Sequence, residues 1–229
     1  MPNIYTDKPF MMGNALEKLG SDARRLQAPL YERWVETYAT LSEFRQDESR
    51  AFSGHLDANI DLILRTLEDE QLEFQAKAGA HRDGGALFLQ VSLSQGWLLA
   101  TYELLRTTCD HIHCVHPKED KDLAIVSCLG CRVRTVKKHF SLVRISLAKF
   151  EPEGFQKRDS PPSHIKIEDH ESETQVAQIY PGHGRYHPEL VFENNSGSIG
   201  WKLFDKKSGL GRTISRRWLS DLFLSLTSD

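Results

Sequence analysis

Cysteine is scarce in this chain. Four in 229 residues are too few to staple a secreted scaffold, so they read as thiols or ligands in a reducing compartment. Also missing is any apolar run of the roughly 20 residues that a bilayer crossing needs. The nearest approach, Leu87 to Leu99, is broken by Gln90, Ser92, Ser94 and Gln95, which argues against a membrane span. The N-terminal stretch MPNIYTDKPFMMGNALEK lacks the basic start, apolar stretch and small-residue cleavage site of an export signal, and a cytoplasmic location is expected. Nor does one charge dominate, because 29 basic and 32 acidic side chains give a net −3. There is no Walker loop, dinucleotide fingerprint, nucleophile elbow or His-Glu-x-x-His zinc motif. Internal repeats and low-complexity tracts are absent too, and no cofactor is expected.

What is present is helical periodicity, from about residue 14 to 150. A first amphipathic segment, with Pro29 in its first turn, carries Leu30, Trp34, Tyr38 and Leu41 at helical steps. A second places Phe52, Leu56, Ile60, Ile63, Leu67 and Phe74 on one stripe, and Glu68, Asp69, Glu70 and Glu73 on an exposed acidic face. After Asp83-Gly84-Gly85, a third stripe runs through Phe88, Val91, Leu98, Tyr102, Leu105 and Cys109, widened by Leu87, Trp97 and Leu99. This one reads as the most buried helix. The fourth segment carries Val126, Leu129, Val133, Val136, Phe140, Val143 and Leu147, and its polar face is basic, with Arg132, Arg134, Lys137, Lys138, Arg144 and Lys149. The fold class is mainly α: residues 1–150 form an antiparallel four- to five-helix bundle, the fifth helix being Asn14 to Leu26.

Residues 151–173 are polar, acidic and proline-bearing, and read as a linker or mobile loop. Beyond them the period shifts toward two, with Val176, Ile179, Leu190, Phe192, Ile199, Trp201 and Leu203 alternating with polar residues. Asn194 to Gly200 and Asp205 to Gly211 supply turn residues. Ser215 suits the N-cap of a last helix burying Trp218, Leu219, Leu222 and Phe223. Residues 174–229 therefore form a small α+β C-terminal domain, a three-stranded sheet with one helix, too small to be stable alone and packed on the bundle.

The densest cluster of reactive residue types is Tyr102 to His116, which holds Glu103, Arg106, Cys109, Asp110, His111, His113, Cys114 and His116. The arrangement of Arg, four to six residues, then His, in a helical setting, resembles the signature of the HEPN superfamily. These are helical-bundle proteins that include many metal-independent ribonucleases of toxin and antiphage systems. Arg106 with His111 fits a gap of four and Arg106 with His113 a gap of six. The resemblance implies an RNA-binding protein, a metal-independent endoribonuclease in a toxin or antiphage defence module, acting as a homodimer. Cleavage through the RNA's own 2′-hydroxyl needs a base near neutral pKa and a fixed cation beside the phosphorus. His111 or His113 would be that base and Arg106 that cation, with Glu103 one turn away holding the guanidinium and Asp110 orienting an imidazole. The spacing also occurs at Arg50 with His55, Arg132 with His139 and Arg158 with His164, and Arg132 and His139 share one helix face.

Two other readings use the same residues. Arg132, Arg134, Lys137, Lys138 and Arg144, with the cluster Lys202, Lys206, Lys207, Arg212, Arg216 and Arg217, form basic surfaces that attract RNA phosphates, unless they pair with the acidic second helix and the acidic linker. In that case a non-catalytic module that binds a protein partner fits as well. Cys109, Cys114, Cys128 and Cys131 lie within 23 residues, a spacing that suits zinc or a redox pair and would make the chain a zinc- or redox-responsive regulator. Against zinc, Cys128 and Cys131 are expected inside uninterrupted helix.

Overall fold

The computed structural model describes residues 8–44, 51–79, 84–112, 128–149, 163–168, 174–179, 189–205 and 210–227. Five helices come first: α1 (Lys8–Leu26), α2 (Ala28–Glu43), α3 (Ala51–Ala78), α4 (Gly84–His111) and α5 (Leu129–Lys149). Strands β1 (Ser163–Glu168), β2 (Thr174–Ile179), β3 (Glu189–Glu193), β4 (Ser198–Asp205) and β5 (Leu210–Ser215) follow, and α6 (Arg216–Leu224) closes the described chain. The protein is mainly helical with a small C-terminal sheet. None of the described helices is long and apolar enough to cross a membrane.

The sheet order is β2-β1-β5-β4-β3. Strands β3, β4 and β5 make an antiparallel unit, and the antiparallel β1–β2 hairpin joins it where Lys166 of β1 sits parallel to Leu210 of β5. β1 lies inside the span 151–173 that composition marks as a linker, and β5 begins within the turn expected at Asp205 to Gly211. The turn between β3 and β4 ends at Gly197, whose φ is +61°. Any Cβ there would overlap the backbone oxygen of Glu68, so a left-handed residue without a side chain lets the turn press onto α3. A Cβ on Gly54 would likewise lie 2.5 Å from the Tyr38 ring, so this glycine sets the close approach of α3 to α2.

One apolar core runs through both halves. Trp34 of α2 stacks on Phe223 of α6 at 4.5 Å between centroids and meets Trp97 of α4 edge-on at 6.2 Å, and Trp97 lies 5.7 Å from Phe140 of α5. Ile199, Trp201, Leu203 and Ile214 of the sheet belong to the same cluster. The α2 stripe is buried as its spacing predicts, with Trp34 and Leu41 fully enclosed and Tyr38 nearly so. Val133, Val136, Phe140 and Val143 of α5 are buried as well.

Helix α3 departs from its expected orientation. Leu56 and Phe74 are 49% and 40% exposed, while Asp61 and Glu68 are fully buried. The inward face is Asp57, Asp61, Arg65, Glu68 and Gln71, an i, i+4 and i+3 series of polar residues. α3 turns this face to the core because α6 presents a guanidinium to it. Arg216, expected on a phosphate-attracting surface, is fully buried and pairs with Asp61 and Glu68. Arg217 beside it pairs with Asp69 at 2.5 Å. These two arginines follow the acidic-helix alternative. Burying Arg216 rotates α6: Arg216, Leu219, Ser220, Phe223 and Leu224 face inward. Trp218, two residues and therefore about 200° away, is left 42% exposed rather than buried. On α4, Phe88 at 73% and Leu99 at 36% also lie outside the core, whereas Trp97, Leu98 and Leu105 are fully enclosed.

Candidate functional site

Two assemblies of ionisable side chains stand out, one closed and one open. In the closed one, Arg216 Nε donates to Glu68 Oε1 at 2.7 Å and Nη2 to Oε2 at 2.6 Å, a bidentate pair, while Nη1 donates to Asp61 Oδ1. Asp61 Oδ2 accepts from Trp34 Nε1 at 2.8 Å and Arg65 Nε at 3.0 Å. Arg65 Nη2 reaches Ser220 Oγ at 2.7 Å and Asp221 Oδ1 at 2.5 Å, and Ser198 Oγ donates to Glu68 Oε1 at 2.7 Å. Burial pushes the Asp61 carboxyl up, but Arg216 and Arg65, helped by Trp34 and Ser220, outweigh it and hold it below its ordinary range. Burial likewise disfavours the charged Arg216, yet Glu68 and Asp61 hold its guanidinium firmly protonated. Arg216, Asp61 and Glu68 have no exposed side-chain surface, so their charges are taken up in joining α3 to α6, with Trp34 of α2 and Ser198 of β4 completing the set.

The open assembly lies along the α4–α5 seam and contains the sequence-predicted arginine. Arg106 Nε donates to Glu103 Oε2 at 2.7 Å, and its Nη1 to Asp110 Oδ2 at 3.3 Å. Both partners are one turn away, at i−3 and i+4, where helix geometry puts neighbours on one face. From α5, Arg144 Nη2 stands 3.5 Å from Glu103 Oε1, and its guanidinium carbon 4.8 Å from the Tyr102 ring centroid. Farther along, Lys137 and Arg134 act on the Cys109 thiol; burial raises its pKa and the two cations partly oppose that rise. Positions 103 and 109 of α4 thus meet 144 and 137 of α5, so the pair runs antiparallel. The hydrogen bond to Glu103 is the largest contribution raising the Arg106 pKa. Four cations and two carboxylates line this seam, a local excess of positive charge.

The predicted site residues separate on this frame. Glu103 and Arg106 come together as expected, and Asp110, expected to orient an imidazole, grips Arg106 instead. His111 is exposed at the end of α4, but five residues from Arg106 place it roughly 140° around the helix. His113 and Cys114 lie outside the described residues. The α5 cations divide: Arg134, Lys137 and Arg144 face or flank α4, and Lys138 is exposed on the outer surface. Arg132 and His139, seven residues apart, take the side toward α6, where His139 meets the Trp218 ring edge-on at 5.1 Å. Cys109, Cys128 and Cys131 are half-buried thiols. α5 begins at Leu129, with the Cys128 carbonyl accepting from the amides of Cys131 and Arg132, so Cys128 sits at a helix start and not within continuous helix. Among the described residues no three His, Cys, Asp or Glu side chains gather as a metal site. A small apolar hollow between α2 and α3, lined by Val35, Tyr38, Ala39, Ser42, Gly54 and His55, holds no catalytic set.

Sequence periodicity assigned nothing to Asp61 and Arg65, and it expected Glu68 on an exposed acidic face and Arg216 on a basic surface, whereas all four are buried. The signal was the acidic repeat at 57, 61 and 68 on one face of α3, outvoted by the neighbouring apolar stripe. In comparisons with known protein families, curated proteins and solved structures, the chain matches none.

Proposed function

We propose that this chain is an RNA-binding protein of HEPN-like character that grips the phosphodiester backbone along the α4–α5 seam. The observation that carries this reading is the line of Arg106, Arg144, Lys137 and Arg134 against Glu103 and Asp110, in which Arg106 stays 44% exposed while two carboxylates fix its direction. A guanidinium held in place by carboxylates presents its remaining donors in a fixed fork, the geometry that suits a phosphate oxygen. In the HEPN-like scheme an antiparallel helical bundle pairs as a homodimer, Arg106 stabilises charge on phosphorus, and His111 or His113 takes the 2′-hydroxyl proton without metal.

A second reading is a non-catalytic module for a protein partner. It is favoured by the two carboxylates already on Arg106 and by the helical turn between Arg106 and His111.

One experiment separates the two. Purified protein is incubated with a single-stranded RNA in EDTA, with binding and cleavage followed as salt is raised. Binding should weaken steeply with salt. Cleavage should disappear in Arg106→Ala and in the His111→Ala/His113→Ala double variant at unchanged melting temperature. Binding without cleavage leaves an RNA-binding module, and no binding at low salt ends the RNA reading in favour of a protein partner.

A further inference from the structure

The chain has four tryptophans. Trp34, Trp97 and Trp201 are buried at 0%, 0% and 1% exposure, and Trp218 stands at 42%. Its outward position follows from the fold. The buried Arg216 fixes the rotation of α6, and the Ser215 side chain, accepting from the Trp218 amide at 3.2 Å, fixes the start of the helix. Trp218 therefore leaves the core at a set angle, on a helix that cannot turn without unseating Arg216.

The neighbours of Trp218 are as specific as its angle. Its ring meets His139 of α5 at 5.1 Å and 85°, an edge-to-face contact that steadies the indole without covering all of it. α5 carries Arg132, Arg134, Lys137, Lys138 and Arg144 and no acidic residue from Leu129 to Lys149. Lys138, on the outer surface of α5, lies between the α4–α5 seam on one side and the His139–Trp218 contact on the other. A partly exposed aromatic ring beside a stretch of cations is the pairing that holds a single strand, because the cations follow the phosphates and the ring takes a base.

We infer that Trp218 is a stacking platform for an unpaired nucleobase of a single-stranded RNA whose phosphates cross α5 from the α4–α5 seam. This rests on the RNA reading above and narrows it to single strands, since a duplex keeps its bases stacked on each other and offers none to Trp218. α5 is about 10 Å across with its side chains, a width that a short extended strand spans.

The test uses the intact chain, a short oligouridylate, a duplex RNA of equal length, and polyphosphate as a probe with phosphates but no bases. All four tryptophans emit, but only Trp218 is open to contact with a ligand, so contact quenching of the intrinsic fluorescence, absent in Trp218→Phe, reports on Trp218. The oligouridylate should quench it and the polyphosphate should not. In anisotropy titrations Trp218→Ala should lose about tenfold in affinity for the single strand, the scale of one aromatic stack, and keep its affinity for polyphosphate. Trp218→Phe should restore most of the loss. If the wild-type protein binds oligouridylate without quenching, or binds the duplex equally well, the platform is wrong while the RNA reading survives. Equal affinity of the wild-type and Trp218→Ala proteins for the single strand would overturn the platform in the same way. If the wild-type protein binds no RNA, both fall together. Should Trp218→Ala fail to fold, quenching of the wild-type protein and the Trp218→Phe affinity decide alone.

Discussion

Two assemblies in this molecule use the same chemistry in opposite surroundings. On α3, Asp61 and Arg65 pair at i, i+4 while Arg216 arrives from α6; on α4, Arg106 and Asp110 pair at i, i+4 while Arg144 arrives from α5. The ion pairs of the first set Arg65 and Arg216 against Asp61, Glu68 and Asp221, and those of the second set Arg106 and Arg144 against Glu103 and Asp110. The first has side-chain exposures of 0% at Asp61, Glu68 and Arg216; the second has 44% at Arg106, 42% at Glu103 and 58% at Asp110. In the interior, water cannot replace a lost partner, so each charge depends on the others remaining in place. At the surface, water and salt screen the same pairs, and a phosphate can exchange for a carboxylate at little cost. An arginine–carboxylate motif therefore means a lock or a landing site according to what covers it.

The most direct way to break this comparison is to delete one cation from each assembly. Arg216→Ala leaves Asp61 and Glu68 buried without their main partner, and removal of one partner from a buried pair costs about 3–5 kcal/mol. That is a large part of the roughly 5–15 kcal/mol that holds a typical domain. Urea unfolding should show a collapse of the midpoint or the loss of a cooperative transition. Arg106→Ala should move the same midpoint by less than about 1 kcal/mol. Equal effects from the two deletions would mean that burial does not separate them. Replacing only Glu68 and Arg216, by Gln and Met, should recover part of the loss, since Asp61 then keeps Arg65 and Trp34 as partners and no unpaired Glu68 charge remains buried.

A second test sharpens the interior side by using pH. Asp57 and Asp61 are one turn apart on α3, yet burial raises the Asp57 pKa from 3.8 to about 6, whereas Arg216 and Arg65 overcome burial at Asp61 and lower its value. The signs oppose each other. A raised carboxyl favours the folded state fully below its unfolded value and loses that contribution as pH rises through about 6. A lowered one contributes above its unfolded value and loses this as pH falls through its folded value. Asp57→Asn should leave the melting temperature unchanged below pH 4 and raise it above pH 6, by up to about 3 kcal/mol of stability. A uniform shift at all pH values would show that the residue acts through packing and not through its charge.

The legible part of this fold was the part whose interior is apolar. The Trp34, Tyr38 and Leu41 stripe and the Val133 to Val143 stripe followed helical spacing because their partners are hydrocarbon. Ser215 could be read as a cap because a cap is satisfied by its own next turn. α3 could not be read this way. Apolar periodicity assumes an apolar core, and the partner that turns Asp61 and Glu68 inward lies 155 and 148 residues away. The same long-range contact set the rotation of α6 and so exposed Trp218. At the candidate site, Glu103 with Arg106 could be read from a three-residue step on one helix. The second carboxylate, Asp110, was visible but went to the guanidinium and not to a histidine. Arg144 was recognised as basic, but its place on Glu103 depends on the antiparallel fit of α4 and α5, which no local spacing encodes.

The smallest expected effect is on the exposed side, at the residue shared by two cations. Glu103 accepts from Arg106 at 2.7 Å and stands 3.5 Å from Arg144, so Glu103→Gln removes one negative charge from between two guanidinium groups. Stability should change by less than about 1 kcal/mol, as for other exposed pairs. On the proposed RNA reading, affinity should rise a few-fold at low salt, because two cations would then face the strand with one fewer competing carboxylate. Its logarithmic salt dependence should steepen by about 0.7 for each phosphate contact added to a single strand. Thermal unfolding and anisotropy titrations at several salt concentrations measure both quantities on one preparation. If affinity falls instead, the role of Glu103 is to aim Arg106, and the direction of the guanidinium matters more than the total charge of the seam. If neither quantity moves, the strand does not touch this seam, and the contrast between a closed lock and an open landing site loses its second half.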